Sequence, residues 1–533
     1  MTDAAGTGGA TGRGSSRPIG AVDTIWLNMD RPNNLMIIDS VMLFDEQVDW
    51  ERLARVLRCR LVERFRVFRQ RPVEPSLPLG QPRWEDDPDF DIERHLHRVR
   101  LPDPGDAAAL QRYLEQQVSR PFDRRHPLWE YHLIDGYGAG AAVMARFHHA
   151  LADGAALMEV LLSTTDATPD GDLAPLRAGR RATAADGSSG DPVDGRDPAV
   201  RDGRPLAAPD ESLDGLAGLI CTAARIANTA AASATAAAAA AASVASTALH
   251  VLEGLPRLAV HPSPLIDALT LTQQTGQVAG KLLTTSNPPS PLTGVPVPAK
   301  RVIWSTPRPL DDVKRAGRPA GATVNDVLLS ALAAAIARYV SDRGGEPADL
   351  ITMVPVNLRR PGEPLPPDLG NRFALVLLEL PSGDHPPLER LALAKQRMDQ
   401  IKQSPEAVLT FGLIQAIGRT NQEVERVLVD FFSNKAFGVT TNVIGPGGPR
   451  WMAGTPLVGV LGWVPGSGNQ SLGISILTYN QTLRVGFKAD VAVVPDPEKL
   501  VQAFDEALDD LLDLTGQGHL TRRHRAPRTA TPR

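Results

Sequence analysis

One stretch of the 533-residue chain restricts what it can fold into more than any other: Arg146-Phe147-His148-His149-Ala150-Leu151-Ala152-Asp153-Gly154. Two adjacent histidines are followed, four residues after the second, by an aspartate and then a glycine. Ala141–Ala145 before it is apolar and strand-like, and Ala155–Leu162 after it reads as a buried helix. A strand-to-helix junction holds its side chains on two rigid elements and still lets them reach a cleft. Gly154 suits a tight turn that needs positive φ or a close backbone approach. Histidine titrates near neutral pH, so it can take a proton from an alcohol and return it later. Asp153 either fixes an imidazole tautomer or ties the loop to an arginine. Against a turn whose histidines merely satisfy backbone groups, the complete pattern HHxxxDG in this context favours catalysis.

HHxxxDG resembles the signature of the coenzyme A-dependent acyltransferase superfamily, to which chloramphenicol acetyltransferase and peptide-synthetase condensation domains also belong. Pro127-Leu128-Trp129-Glu130, upstream of it, resembles the PLW element of the bacterial wax ester synthase/diacylglycerol acyltransferase family. The likeness continues through Ala21–Leu27 with Asp30, Pro32 and Asn34-Leu35-Met36, and through Trp84–Pro104. In the second half it includes Asn325-Asp326, which resembles the family's ND motif, Asn357-Leu358-Arg359-Arg360 and Gly370-Asn371-Arg372-Phe373. Thr293, Thr441 and Ile444 depart from the family pattern.

The resemblance implies an α/β fold of two chloramphenicol-acetyltransferase-like subdomains. Mixed sheets would be flanked by helices, with the active site in the cleft between the halves. It implies transfer of a long-chain acyl group from acyl-CoA to diacylglycerol or a fatty alcohol by direct attack, without an acyl-enzyme. His149 would be the general base, His148 would shape the pocket, and Asp153 would hold the loop through Arg359, Arg360 or Arg372. Gly154, Pro127, Trp129, Asn325 and Asp326 are the expected substrate-binding or site-shaping residues, with Asn325 the candidate oxyanion donor. Acyl-CoA enters as a substrate, and neither cofactor nor metal is expected. Two other readings stay open: a condensation-type enzyme using carrier-bound acyl chains, and a non-catalytic lipid-binding protein of the same fold.

Length calls for two or more domains. The expected division is a disordered tail 1–18, an N-terminal subdomain 19–178, a disordered linker 179–212, an alanine-rich helical connection 213–285, a C-terminal subdomain 286–515 and a basic disordered tail 516–533. A net charge of −5 gives no pull toward nucleic acid. Cys59 and Cys221 lack metal spacing and suit a reducing cytosol. No GxSxG elbow, HExxH or complete P-loop appears, which disfavours an acyl-serine mechanism. Met1–Arg17 lacks the apolar core of a signal peptide. The alanine-rich segment is long enough to span a membrane, but its Ala, Ser and Thr content argues against insertion. The expectation is therefore a cytoplasmic protein held peripherally at the inner face of the membrane or on lipid droplets; oligomeric state is left open.

Smaller readings follow the pattern of apolar residues. Ile37–Phe44 is the first expected strand. Glu51–Phe68 reads as one amphipathic helix with a cationic face, whose membrane reading ranks below packing on the core. His95 and His97 alternate as strand residues do rather than as metal ligands. Gly136, Gly138 and Gly140 mark a hairpin and not a phosphate loop. Thr323 or Asn325 caps a helix running to Tyr339.

Overall fold

The computed structural model describes residues 16–75, 80–173, 278, 280–282, 285–360, 362–418 and 422–515. The expected linker 179–212, most of the alanine-rich connection 213–285, residues 1–15 and the basic tail 516–533 lie outside them. Two mixed sheets form the frame. In the first, β1 (Ile37–Phe44), β2 (Leu96–Arg100), β3 (Trp129–Tyr137) and β4 (Gly140–His148) run in spatial order β1-β4-β3-β2. The β3–β4 hairpin turns on Gly136 and Gly138, both at positive φ, as expected.

The second sheet has seven strands. Its main path is β7 (Phe373–Leu380), β6 (Leu350–Asn357), β8 (Gly438–Ile444), β10 (Leu472–Tyr479), β11 (Thr482–Asp490) and β5 (Lys300–Trp304), with Arg308–Pro309 beside β11. One strand crosses between the halves: β9 (Gly459–Trp463) leaves the C-terminal half and pairs antiparallel with β1, completing the first sheet. Gly462 stands opposite Ser40, and Trp463 opposite Asp39.

Alternation and helical periodicity explain where the cores lie. Helix α5 (Val324–Asp342) and the last helix α6 (Pro497–Leu514) cover one face of the large sheet and share a core with Phe487, Ile474 and Leu378. Among the described residues α5 alone is long and apolar enough to cross a membrane, yet most of it is buried in this core. Helix α3 (Ala107–Val118) covers the outer face of the first sheet. The largest cluster lies between the halves, where α1 (Ala21–Met29) and Trp129 join Leu369, Phe373 and Leu413.

Two expectations need correction, and one helix is additional to them. Ser16–Pro18 is not a tail: it pairs with Arg83–Asp86, and Arg17 donates to Gln70 (3.2 Å). Glu51–Phe68 is not one helix. An α-helix, α2 (Trp50–Leu57), passes into a π-turn at Arg58–Val62 and, after a break, a short 3₁₀ turn at Arg66–Arg69. The wider turn accompanies burial of Leu61 and an ion pair of Arg60 with Asp166 (2.9 Å). On the same cationic face Arg52 pairs with Asp172, and Arg66 lies 3.4 Å from Asp86, so these three charges are engaged within the fold. Finally, a helix at Gln422–Ser433, beyond the one at Glu406–Ile417, was not anticipated.

Candidate active site

The sheet fixes the motif before any side chain is considered. His148 ends β4 opposite Ile37 of β1, and the His149 N–H donates to the Met36 carbonyl (2.8 Å). Helix α4 (Gly154–Ser163) starts five residues later. Between them the loop is tied to the other half through its backbone: Ala152 bridges to Gly370, whose N–H donates to Leu151 (3.0 Å).

Asp153 holds this junction. Its Oδ1 accepts from the Ala156 N–H (2.9 Å), capping α4. Its Oδ2 accepts from the Arg372 N–H (2.9 Å) and from the Arg359 guanidinium in a buried ion pair. Arg359 donates in addition to the Gly370 carbonyl (2.6 Å). Of the three arginines left open by the sequence, Arg359 supplies the side chain, Arg372 only its backbone, and Arg360 neither. No hydrogen bond among the described residues joins Asp153 to an imidazole. Gly154 is corrected too: its φ is not positive, and a Cβ there would meet nothing within 4 Å. It occupies an ordinary first helical position.

His149 is the residue where the halves meet. Its ring stacks on the Trp26 indole (centroids 4.3 Å apart, 24° between planes) and lies 5.6 Å from Phe373. Nδ1 is 3.1 Å from Oδ1 of Asn371. The Asn371 amide has one sensible orientation, because its Nδ2 donates to Asp23 Oδ1 (2.8 Å) and to the His149 carbonyl (2.8 Å). Its backbone N–H donates to the same Asp23 oxygen (2.9 Å). Turning the amide over would set its oxygen against a carboxylate and a carbonyl. Oδ1 therefore accepts, Nδ1 carries the hydrogen, and Nε2 keeps the lone pair.

Burial pushes the His149 pKa down to about 4, so the imidazole is neutral at neutral pH. Burial pushes the Asp23 carboxyl up to about 6, against the hydrogen bonds from Asn371. His148 takes the opposite tautomer: its Nδ1 accepts from the Ala150 N–H (3.1 Å), which places the hydrogen on Nε2, 3.6 Å from Asp30. His148 is fully buried.

The remaining expected site residues divide. Trp129 is fully buried, and its indole N–H donates to the Phe68 carbonyl (3.0 Å). The His148 N–H donates to the Leu128 carbonyl (3.0 Å), and the Trp129 N–H to Pro127 (3.0 Å). The PLW element thus braces the motif strand. Asp326 is fully buried in a capping box with Thr323, so Thr323, not Asn325, caps α5. Asn325 accepts from Asn442 (3.2 Å), and no hydrogen bond among the described residues joins it to His149. Sequence reasoning missed Trp26, Asn371 and Phe373 as partners of His149, and Asp23 as the anchor of Asn371. A lone acid inside the apolar run Ala21–Leu27, and a polar residue between Gly370 (φ 101°) and a strand, were the available signals. Behind α4, an apolar pocket lined by Met42, Met158, Leu161, Val460 and Leu477 has a free volume of only about 10 Å³. That is about one water or less, so no acyl chain fits without opening it.

The two halves together thus supply one neutral histidine and the groups that hold it. The model of the wax ester synthase/diacylglycerol acyltransferase catalytic domain matches residues 19–279, and that of the family's C-terminal domain matches 369–512. The chain belongs to the wax ester synthase/diacylglycerol acyltransferase family. It is an acyltransferase; His148, His149 and Asp153 lie within the span matched to the family's catalytic domain, and Asn371, Arg372 and Phe373 within that matched to its C-terminal domain. A probable diacylglycerol O-acyltransferase of Mycobacterium tuberculosis is 27% identical over 491 residues, covering 90% of this chain and 91% of that one. The structure of the wax ester synthase/diacylglycerol acyltransferase from Marinobacter aquaeolei VT8 superposes with a TM-score of 0.61 at 19% identity, covering 94% and 100% of the two chains. The first condensation domain of the CDA synthetase gives 0.53 at 15% identity, covering 95% and 97%. These likenesses to solved structures bear out the two-subdomain, acetyltransferase-like fold.

Proposed function

We propose that this acyltransferase moves a long-chain acyl group from coenzyme A to the hydroxyl of diacylglycerol or of a fatty alcohol, with His149 as general base. The observation that carries this reading is the tautomer of His149: Nδ1–H is held by Asn371, which leaves the Nε2 lone pair free to act. Nε2 takes the proton of the acceptor hydroxyl as its oxygen attacks the thioester carbonyl. When the C–S bond breaks, the imidazolium returns that proton to the departing thiolate. A low His149 pKa keeps the base unprotonated at the outset and makes the imidazolium a ready acid for the second step. Asn325 is our candidate oxyanion donor: its carbonyl oxygen is occupied by Asn442, which leaves its NH₂ to donate. The names of the mycobacterial relatives favour diacylglycerol as acceptor over a carrier-bound substrate.

The test is purified protein with radiolabelled palmitoyl-CoA against diacylglycerol, monoacylglycerol, fatty alcohols and sterols, beside His149→Ala. Loss of a general base lowers the rate by roughly 10²–10⁴-fold. A variant with unchanged circular dichroism and near-wild-type turnover would refute the assignment. We further propose peripheral attachment to the inner membrane face or to lipid droplets. Carbonate or high-salt washing should then release the protein, because the Debye length falls from about 10 Å at 0.1 M salt to about 3 Å at 1 M. Retention until detergent is added counts against it.

A further inference from the structure

Away from the catalytic cleft, at the edge of the first sheet, three side chains with metal-ligating atoms converge. His97 of β2 and His132 of β3 are paired across the parallel ladder, and Glu130, two residues before His132, points from the same face. Strand alternation and cross-strand pairing therefore bring together ligands that are 33 and 35 positions apart in the sequence. His97 Nε2 stands 4.0 Å from Glu130 Oε1, and His132 Nε2 stands 3.3 Å from Glu130 Oε2. All three donor atoms lie within 4.8 Å of one another. We propose that His97, Glu130 and His132 form a binding site for a divalent transition-metal ion of the zinc class.

Three observations support this. First, His97 Nε2 is buried and has no hydrogen-bond partner, although its ring is about one-third exposed. An orphaned ring nitrogen aimed at a carboxylate is costly unless something joins them. Second, the outer shell is in place. Tyr113 Oη lies 2.7 Å from His132 Nδ1. When it accepts the Nδ1 hydrogen, Nε2 is left as the metal-binding nitrogen, the arrangement by which ligating histidines are usually oriented. Third, Glu130 divides its two oxygens. Oε2 accepts from Arg146 (3.0 Å), whose guanidinium is further held by Asp39 and the Arg120 carbonyl. Oε1 accepts no hydrogen bond among the described residues and faces His97.

The neighbouring cations, Arg146 and Arg120, oppose a metal ion, and Arg146 is already held by Asp39. Burial holds both histidines below their ordinary range, so they enter as neutral donors. Two imidazoles and one carboxylate form a donor set that favours zinc-class ions over calcium or magnesium. In the absence of metal, the same groups would form only a Tyr113–His132–Glu130 hydrogen-bonded chain, and the experiment separates the two.

Tag-free full-length protein is titrated with Co²⁺, followed by visible absorption, and with Zn²⁺ by calorimetry. We expect one equivalent per chain, with visible bands of a four-coordinate ion. His97→Ala removes a ligand without breaking any side-chain hydrogen bond among the described residues, so it should stay folded and lose the bands. Tyr113→Phe, which removes only the outer-shell partner, should weaken binding roughly 10–100-fold. A rise in melting temperature with Zn²⁺ in the wild type, absent in His97→Ala, is the second readout. Failure to bind one saturable equivalent, or binding that survives His97→Ala unchanged, overturns the proposal.

Discussion

Replacing Asp153 by asparagine preserves its shape and removes its charge, and the structure says what each lost contact is worth. One oxygen caps α4, and caps contribute about 0.5–2 kcal/mol. The other faces Arg359 and the Arg372 N–H in a largely buried pair, whose side chains are 11% (Arg359) and 4% (Asp153) exposed. Breaking a buried pair by removing one partner costs about 3–5 kcal/mol. The asparagine has a single carbonyl oxygen for these two sites, so its NH₂ must face a donor at one of them. We therefore expect Asp153→Asn to lose about 3–5 kcal/mol of stability, with turnover falling alongside. Arg359→Met should fall at the low end of that range, because the carboxylate keeps its bonds from Ala156 and Arg372. In the double variant no unpaired charge is left behind, so its loss should be smaller than the sum by about 0.5–3 kcal/mol. Urea unfolding of the four proteins gives the cycle, and radiolabelled acyl transfer gives the rates. Unchanged unfolding midpoints with collapsed turnover would show that Asp153 acts in the chemistry, and additive losses would show that the pair does not hold the halves together.

Two further tests follow from the shell of His149. Asn371→Leu removes the acceptor that fixes the tautomer; kcat should fall roughly tenfold or more while KM for acyl-CoA moves little, and an unchanged kcat would remove Asn371 from the positioning shell. The pH dependence of stability carries opposite signs from two neighbours. His149 is depressed to about 4, so its contribution is full above about pH 6.5 and is lost as pH falls through about 4. Asp23 is raised to about 6, so its contribution is full below about pH 4 and is lost as pH rises through 6. Each amounts to about 3 kcal/mol, since one pKa unit is about 1.36 kcal/mol. The two nearly cancel between pH 4 and 6, so Asp23→Asn should expose a stability that rises with pH in that window; an unchanged slope in urea midpoints would contradict this.

The motif was legible because everything that defines it is local: an apolar strand, two histidines, an acid positioned to cap, an apolar helix. The same locality explains what escaped. Asn371 lies 222 residues from His149, and only closure of the two halves puts it at Nδ1. Asn325 looked equally suited to capping and to the site, because a helix N-terminus favours polar residues for either purpose; Thr323 makes the cap, with Asp326, expected at the site, as its capping-box partner. In Glu51–Phe68 the apolar period is helical throughout, and the departure to a wider turn occurs where Arg60 meets Asp166, a tertiary contact that periodicity does not encode. His97 read as an ordinary strand residue, and only strand order sets His132 beside it.

The strand Gly459–Trp463 has a consequence for how this enzyme can be taken apart. Its donation to β1 makes the first sheet a joint product of both ends of the chain, much as a clasp makes one band from two straps. A fragment ending before residue 285 would present the bare flank of Ile37–Phe44, and exposed flanks of that kind recruit other strands. Expressed alone, the first half should therefore be prone to self-association. Cut once between residues 173 and 285, the two pieces should instead recombine, with the C-terminal piece restoring the missing strand to its partner's sheet.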